Sequence, residues 1–333
     1  MNKTLIIAEV GPNHNGRLDL AYKYVDEAIK IGADIIKFQT SIPRLGISKH
    51  ALKADYQKDK NKNENQLKMA EKISLKLNDF YKLKKYCDKK KIEFLTTPFD
   101  FESINLINKL KVKRVKIPSG EINNLPYLIE ISKLNKEIIL STGMSNMKEV
   151  TNAVRIIKKY MKKSKKISIL HCTTQYPAPF SDVNLNVIKS LKKKFNCKIG
   201  YSDHTTGIEV AIAAVAMGAT IIEKHLTFDK KMKGPDHKAS LEPHEFKNMV
   251  LSIRNIEKSF GSFKKVITKS EKKNILIARK SIVASKFIEK GEKFTLKNIT
   301  VKRPSLGLSP TKWFSVLGKT AKKDYFEDDY IKI

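Results

Sequence analysis

The chain has 333 residues, with 66 Lys or Arg against 34 Asp or Glu, which gives a formal net charge of +32. Its 41% of hydrophobic residues suffices for a sizeable core and excludes a chain that is disordered throughout. The three cysteines, Cys87, Cys172 and Cys197, are irregularly spaced, which excludes a disulfide scaffold and a cysteine-rich zinc module. Apolar runs are too short to span a bilayer, and no signal-peptide cleavage site follows Met1, so we expect a cytoplasmic protein without a membrane partner.

The positive charge is carried almost entirely by lysine, because only 7 of the 66 basic residues are Arg. Proteins that bind nucleic acids favour Arg and interleave aromatic residues for base stacking. This pattern predicts a solvated lysine coat and no nucleic-acid partner. A field that attracts an anionic substrate is a second interpretation, and a basic RNA-binding or membrane-binding protein is the remote alternative.

Eight short runs rich in Ile, Val, Leu and Phe alternate with segments of helical periodicity. The runs cover residues 5–9, 35–39, 92–96, 114–117, 138–141, 167–171, 198–202 and 220–225, and the clearest helical segments cover 20–31, 78–90, 147–160 and 207–217. Eight alternating strand and helix units predict an α/β fold of the closed (β/α)8 TIM-barrel type. An open doubly wound sheet is the alternative.

Two segments depart from this alternation. Residues 45–66, which follow the second strand, are polar and low in complexity, and we expect a surface excursion on the catalytic face of the barrel. After a further helix over 243–259 the pattern changes to short strands at 282–284, 299–301 and 330–333. The predicted domains are therefore a barrel over 1–260, a linker over 261–280 and a small β-rich domain over 281–333.

The carboxyl ends of the eight strands meet at one mouth of such a barrel. Lys37 and Lys116 lie in otherwise apolar strands, where an unpaired charge is costly. Hydroxyl side chains recur beside both lysines, which indicates a bound phosphate or carboxylate. The alternative is a salt bridge from either lysine to a carboxylate such as Glu9 or Glu121.

Histidines are concentrated at strand ends and in the loops that follow them. His204 and His225 end adjacent predicted strands and form the predicted ligand pair for a divalent metal, with open positions for substrate and water. Structural histidines are the equally weighted alternative, and we interpret His171 as structural or as a neighbour of the site. Without a thiolate pattern, manganese, magnesium or iron is favoured over structural zinc.

Seven motifs, in order along nearly the whole chain, resemble the bacterial sialic acid synthases. The motifs are IAEVGPNHNG at 7–16, VKIPSGE at 115–121, LSTGM at 140–144, HCTTQYP at 171–177, YSDHT at 201–205, EKH at 223–225 and GPDHKAS at 234–240. The tail, around residues 301–304 and 317–319, resembles the SAF (antifreeze-like) domain that follows the barrel in that family.

The resemblance implies condensation of phosphoenolpyruvate with an open-chain N-acylated amino sugar and water, giving a nine-carbon 2-keto sugar acid and phosphate. The cofactor it implies is a divalent metal, Mn2+ before Mg2+ or Co2+, on His204 and His225. Carried over residue by residue, the phosphoenolpyruvate-binding positions are Lys37, Thr97, Lys116, Ser119, Ser141 and Ser202. The sugar-binding positions are Gln39, Tyr176, Asp236 and Arg303.

The resemblance also places Glu9 where a catalytic carboxylate is expected, either moving a proton or accepting a hydrogen bond from a sugar hydroxyl. At Thr174 some relatives carry Asn, so that contact stays open. The implied assembly is a domain-swapped homodimer in which the SAF domain brings Arg303 to the sugar. The first activity implied is that of an N-acetylneuraminate synthase using N-acetylmannosamine. The alternative is that of an N,N'-diacetyllegionaminate synthase using 2,4-diacetamido-2,4,6-trideoxymannose.

Overall fold

The computed structural model describes residues 3–57, 65–164 and 166–333. The chain divides into two compact units, residues 1–260 and 261–333. The strongly polar run 58–64, predicted as part of the excursion, lies outside the described residues, as does the opening Met1-Asn2. In the described part of the chain, every helix is too short or too polar to cross a bilayer.

The first unit contains eight parallel strands, joined mostly through helices. The strands are β1 (Leu5–Gly11), β2 (Ile35–Thr40), β3 (Glu93–Pro98), β4 (Arg114–Ile117), β5 (Glu137–Ser141), β6 (Ile167–Cys172), β7 (Lys198–Asp203) and β8 (Ile221–His225). They are ordered β3-β2-β1-β8-β7-β6-β5-β4. The pairing of β1 with β8 closes the sheet, and β3 lies beside β4. The TIM-barrel prediction is confirmed, and the open doubly wound alternative is excluded because its first and last strands would not pair.

The helices of the first unit surround this barrel. They are α1 (Leu18–Lys30), α2 (Pro43–Gly46), α3 (Gln66–Ile73), α4 (Leu77–Lys90), α5 (Phe101–Lys109), α6 (Leu125–Lys133), α7 (Met147–Tyr160), α8 (Asn186–Lys194), α9 (Glu209–Ala216) and α10 (Pro243–Ser259). All of them except α2 and α3 have buried apolar faces that pack on the outward-facing strand residues and form the main core. Within the described residues, the predicted excursion of 45–66 contains the end of α2, a short 3-10 turn at Asp55–Gln57, and the first residue of α3.

Inside the barrel, side chains from alternate strand positions form layers. A fully apolar layer, here called the floor, consists of Ile7, Ile35, Leu95, Ile139, Leu170 and Ile221. Two residues further along the same six strands come Glu9, Lys37, Thr97, Ser141, Cys172 and Glu223, here called the polar layer. β7 contributes Gly200 at the level of the floor, where an added Cβ would lie 2.4 Å from the Ile221 carbonyl oxygen. The barrel interior is therefore apolar below and polar at the carboxyl ends of the strands.

The second unit differs from its prediction in two places. The predicted linker contains a helix, α11 (Lys269–Ala278), which begins with a capping box between Thr268 and Glu271. The predicted last strand is wrong: Tyr330 makes only an isolated bridge to Val283. The described β-structure is an antiparallel pair, β9 (Ser281–Ala284) with β10 (Ile299–Lys302), around a small core that includes Phe294 and Tyr325. A short helix, α12 (Trp313–Val316), completes the unit.

Candidate active site

The carboxyl ends of the strands surround a cavity of about 480 Å³. Every predicted site residue of the barrel lines it: Glu9, Lys37, Gln39, Thr97, Lys116, Ser119, Ser141, Tyr176, Ser202, His204, His225 and Asp236. Arg303 lies in the second unit, where it is exposed and follows β10 directly. The fold thus brings all the predicted site residues of the barrel into one cavity.

Two lysines and two glutamates form a compact ion cluster within this cavity. The Lys37 ammonium lies 2.9 Å from Glu9 Oε2 and 3.7 Å from Glu223 Oε2. The Lys116 ammonium lies 3.3 Å from Glu223 Oε1 and donates a hydrogen bond of 2.6 Å to Ser141 Oγ. The side chains of both lysines and both glutamates are almost completely buried. The salt-bridge alternative for the lysines therefore exists in the structure, with Glu223 in the place proposed for Glu121.

Glu223 is the residue that the sequence analysis left without a role. It bridges both lysines and also accepts a hydrogen bond of 2.9 Å from Ser202 Oγ. The signal was available, because Glu223 precedes the predicted ligand His225 by two residues and so faces the same side of β8. Burial opposes ionisation, but Lys116 and Lys37 outweigh it and hold the pKa of Glu223 at about 2. Glu223 is a fixed anion between two cations.

Glu9 and Asp236, two further carboxyl groups of the cavity, have different environments. Burial raises the pKa of Glu9 above its ordinary value, with Lys37 acting in the opposite direction. Burial, assisted by the Glu9 carboxylate, raises the pKa of Asp236 to about 7. Glu9 also accepts a hydrogen bond of 3.1 Å from Gln39 Nε2. Pairs of carboxyl groups whose pKa values are driven apart are typical of acid–base sites, so Glu9 and Asp236 are suited to carry protons while Glu223 stays ionised.

The two lysines also differ from each other. Burial lowers the pKa of Lys37, but the Glu223 and Glu9 carboxylates outweigh it and hold that pKa above its ordinary value. Burial lowers the pKa of Lys116 below its ordinary value even with Glu223 beside it. Because its charge is less fully compensated, Lys116 gains more from an added anion than Lys37 does.

Hydroxyl groups and backbone amides complete the anionic end of the cavity. Lys37 donates to Thr97 Oγ1 at 3.4 Å, and Ser119 Oγ accepts from the Gly143 amide at 2.9 Å. Gly143 is required here, because an added Cβ would lie 2.1 Å from Thr174 Oγ1. Ammonium groups, hydroxyls and an amide within one buried space can bind a phosphate or carboxylate group.

His204 and His225 lie across from each other at the mouth, with ring centroids 5.5 Å apart. His204 Nδ1 lies 2.7 Å from the Thr173 carbonyl oxygen and donates to it, so Nε2 is the ring nitrogen left for a ligand. Burial opposes protonation of His204, but Cys172 outweighs it and raises the pKa of His204 above its ordinary value, so a metal would displace a proton from this imidazole. Among the residues that the structure describes, His225 Nδ1 is buried without a hydrogen-bond partner, and it lies 3.6 Å from Asp236 Oδ2. Burial lowers the pKa of His225 well below its ordinary value, so this imidazole is neutral, as a metal ligand must be.

These donors fit a divalent metal held by two imidazoles, with Asp236 close by. Within residues 3–57, 65–164 and 166–333, no group of three or more His, Cys, Asp or Glu side chains is arranged to hold a metal ion. A metal here would therefore keep coordination positions open for water and substrate, as catalytic sites do. His171 is not placed to bind this metal, because its Nε2 is 2.6 Å from the Val183 carbonyl oxygen and is used in that hydrogen bond.

An aromatic and aliphatic wall closes one side of the cavity. The Tyr176 ring packs on His204 with centroids 4.1 Å apart and on Tyr56 at 4.9 Å. The excursion and the residues that flank it add apolar side chains to the same lining: Ile42, Ile47, Met69 and Ile73. Tyr56 is not among the predicted site residues, because no local pattern indicates that a tyrosine in a polar loop packs on Tyr176 and lines the cavity. Cys172, also missed, lies 3.8 Å from His204 Nδ1 and from Ser119 Oγ.

Comparisons with known proteins agree with the fold and the site. A sequence profile of the NeuB family matches residues 24–265, and one of the SAF domain matches residues 279–333. The chain is 53% identical over 333 residues to an N,N'-diacetyllegionaminic acid synthase of Campylobacter jejuni, covering 100% of both chains. It is 41% identical to the synthase of that name from Legionella pneumophila, over 94% of this chain and 89% of that one.

The structure also resembles a solved one. This is an N-acetylneuraminic acid (sialic acid) synthetase from Leptospira borgpetersenii in complex with citrate. The TM-score is 0.71 and the identity 36%, over 82% of this chain and 90% of that one. The resemblance read from the seven motifs and from the tail is confirmed.

Proposed function

Because the chain belongs to the NeuB family and ends in a SAF domain, we propose that it is a sialic-type acid synthase acting on a diacetamido 6-deoxy sugar. In this proposal it condenses phosphoenolpyruvate with 2,4-diacetamido-2,4,6-trideoxymannose and water, and the products are N,N'-diacetyllegionaminate and phosphate. The observation that carries the choice of sugar is the similarity, over the full length of both chains, to a synthase of that name. The alternative of the sequence analysis thus replaces its first choice, N-acetylneuraminate synthase.

The lining of the cavity supports a 6-deoxy sugar. Such a sugar carries a methyl group where N-acetylmannosamine carries a hydroxymethyl group. Four apolar side chains of the lining, Ile42, Ile47, Met69 and Ile73, offer contacts to a methyl group, beside polar side chains of the same stretch such as Ser41, Gln66 and Ser74. Burying an unpaired hydroxyl against such a surface costs free energy, whereas burying a methyl group is favourable.

The ion cluster supports phosphoenolpyruvate as the second substrate. Lys37 and Lys116 are each paired with a glutamate, so the formal charges of the two lysines and two glutamates balance. Thr97 and Ser141 accept hydrogen bonds from the two ammonium groups. Ser119 and Ser202 line the same cavity, and all four hydroxyls can donate to phosphate or carboxylate oxygens. We assign these six residues to binding, and the energetic effect of the lysines falls on substrate and transition state alike.

The proposed reaction forms one carbon–carbon bond and breaks one carbon–oxygen bond. C3 of phosphoenolpyruvate bonds to the aldehyde carbon of the open-chain sugar, whose oxygen takes up a proton and becomes a hydroxyl group. The oxygen of a water molecule bonds to C2 as the water loses a proton, the bond from C2 to the phosphate oxygen breaks, and the new C2 hydroxyl loses its proton to leave the ketone. Glu9, whose pKa is raised, is placed to move the proton that the water molecule loses. The alternative role of Glu9, accepting a hydrogen bond from a sugar hydroxyl, would involve the same carboxylate group.

A divalent metal, Mn2+ with Mg2+ or Co2+ as substitutes, would supply Lewis-acid polarisation of the aldehyde oxygen when bound at His204 and His225. Gln39, Tyr176 and Asp236 line the same part of the cavity and are assigned to the sugar. The proposal retains a domain-swapped homodimer in which Arg303 reaches the sugar of the neighbouring copy.

The test is phosphate release from phosphoenolpyruvate with Mn2+ and a panel of acylated amino sugars. We expect kcat/KM for the 2,4-diacetamido-2,4,6-trideoxy sugar to exceed that for N-acetylmannosamine by about 10²-fold, the scale on which apolar pockets discriminate. His204→Ala is the control and should release no phosphate. A preference for N-acetylmannosamine would overturn the choice of sugar in favour of N-acetylneuraminate synthase. No release with any sugar would overturn the synthase itself.

A further inference from the structure

A second, separate ion pair lies directly behind the two histidines, on the outer side of the strands that carry them. Asp203 of β7 and Lys224 of β8 are register partners, and both are fully buried. Because side chains alternate along a strand, these two face the helices while their neighbours face the cavity. Those neighbours are His204 and His225, each one residue further along the chain.

The contacts of this pair reach the backbone around His204. The Lys224 ammonium donates to Asp203 Oδ2 at 2.7 Å and to the Thr205 carbonyl oxygen at 2.6 Å. The other carboxylate oxygen of Asp203 accepts from the Thr205 amide at 2.9 Å and from the Thr205 hydroxyl at 2.8 Å. Tyr201 adds a third, longer hydrogen bond of 3.3 Å to the same oxygen. The residues on both sides of His204 are thus tied to the residue that precedes His225.

A buried ion pair contributes little net stability compared with apolar residues of the same size, because both charges lose their hydration. The pair does restrict geometry: the two short hydrogen bonds of the Lys224 ammonium can form only when the backbones of β7 and β8 keep a narrow range of relative positions. Packing alone at this position would be served as well by apolar residues. The pair instead joins β7 to β8 at the carboxyl ends of the two strands, directly beside His204 and His225.

We propose that Asp203 and Lys224 are positioning residues that set the separation and orientation of His204 and His225 for a divalent metal. The inference rests on the proposed metal site. It adds residues that touch neither the metal nor the substrates and that act through the backbone. Outer residues that orient metal ligands typically change metal affinity by about 10–100-fold when they are replaced.

The test measures Mn2+ binding alone, without phosphoenolpyruvate or sugar, by the electron paramagnetic resonance signal of free Mn2+. The variants are Lys224→Met, which removes the ammonium, and Asp203→Asn, which removes the charge and keeps an acceptor for Thr205. We expect each to raise the Mn2+ Kd by at least about 10-fold. Circular dichroism at the assay temperature shows which variants are folded.

Arg114→Met is the matched control, because it also breaks a partly buried ion pair between strands. Arg114 contacts Glu93 at 2.8 Å and Glu137 at 3.4 Å, all at the first residues of their strands and so at the opposite end of the barrel. We expect Arg114→Met to lower the thermal midpoint while leaving the Mn2+ Kd within about twofold of the wild-type value.

The outcomes separate this inference from the proposed function. Wild-type Mn2+ binding that His225→Ala does not weaken would overturn the metal site itself. Tight Mn2+ binding by folded Lys224→Met and Asp203→Asn, with only the thermal midpoint lowered, would overturn the positioning role and leave the metal site standing. Failure of both variants to fold would also overturn it, since the pair would then be a requirement for folding.

Discussion

The floor and the polar layer of the barrel are built by the same six strands, two residues apart, yet their chemistry is opposite. The floor, for example Leu170 and Ile221, has only aliphatic side chains. The polar layer above it holds Glu9, Lys37 and Glu223 in contact with one another. The step from one layer to the next is about 7 Å along a strand.

The floor mainly stabilises the barrel, whereas the polar layer provides the side chains of the candidate active site. Close packing of the floor excludes water and fixes the strands. The polar layer requires mutual neutralisation, because each of its charges would be costly alone. The two layers should therefore respond differently to substitution: the polar layer through substrate binding and catalysis, and the floor through unfolding.

The largest expected effect is at Lys116 of β4, whose ammonium pairs with Glu223 of the polar layer. Lys116→Met removes a buried ammonium that contacts Glu223 and Ser141. Truncating one partner of a buried charge pair costs about 2–5 kcal/mol, so we expect kcat/KM for phosphoenolpyruvate to fall about 10³-fold. Steady-state phosphate release measures this. Lys113→Met, the same change at an exposed lysine just before β4, should leave kcat/KM within twofold. Equal effects of the two substitutions would contradict the assignment of Lys116.

The matching change in the floor is Leu170→Ala. Leu170 is fully buried, and large-to-small substitutions of this kind cost about 2–5 kcal/mol in the free energy of unfolding. Urea denaturation should show that loss, while kcat/KM of the folded enzyme changes less than tenfold. If Leu170→Ala instead lowered kcat/KM by more than tenfold without changing the free energy of unfolding, the assignment of stability to the floor and of function to the polar layer would be wrong.

A smaller, pH-dependent effect is expected at His14, on the rim of the cavity. His14 is buried, and burial lowers its pKa to about 4 from an unfolded value near 6.5. Between these values the unfolded chain binds more protons than the folded one, so the stability present at neutral pH is lost as the pH falls from 6.5 to 4. His14 should account for about 2 kcal/mol of loss between pH 7 and pH 5. Urea midpoints of wild-type and His14→Gln at both pH values check this, and parallel losses in the two proteins would refute it.

The sequence predicted the barrel well because each strand is a separate local signal. Runs such as residues 114–117 and helices such as 147–160 appear in the structure with the predicted bounds. The same alternation placed Lys37, Lys116, His204 and His225 at one mouth, because parallel strands of a barrel end together. The placement of these residues followed from topology alone, without any contact being known.

What the sequence did not reveal depends on contacts between distant segments. Nothing local indicates that Glu223 neutralises both Lys37 and Lys116, since the three residues lie on three different strands. The packing of Tyr56 on Tyr176 joins the excursion to a loop about 120 residues away. The helix at 269–278 was missed although its capping box, Thr268 with Glu271, is visible in the sequence. In that case a flanking Gly and several lysines were interpreted as a linker.

The stretch between β2 and α4 has a consequence for substrate choice. The strands supply the ion cluster and His225, and His204 directly follows β7, whereas the apolar lining residues Ile42, Ile47, Met69 and Ile73 all come from that one stretch. Under the proposed function, we expect an exchange of this stretch with that of a relative to change the preferred sugar and to leave the ion cluster and the two histidines unchanged. Choice of acceptor and bond formation would then be separable properties of one barrel.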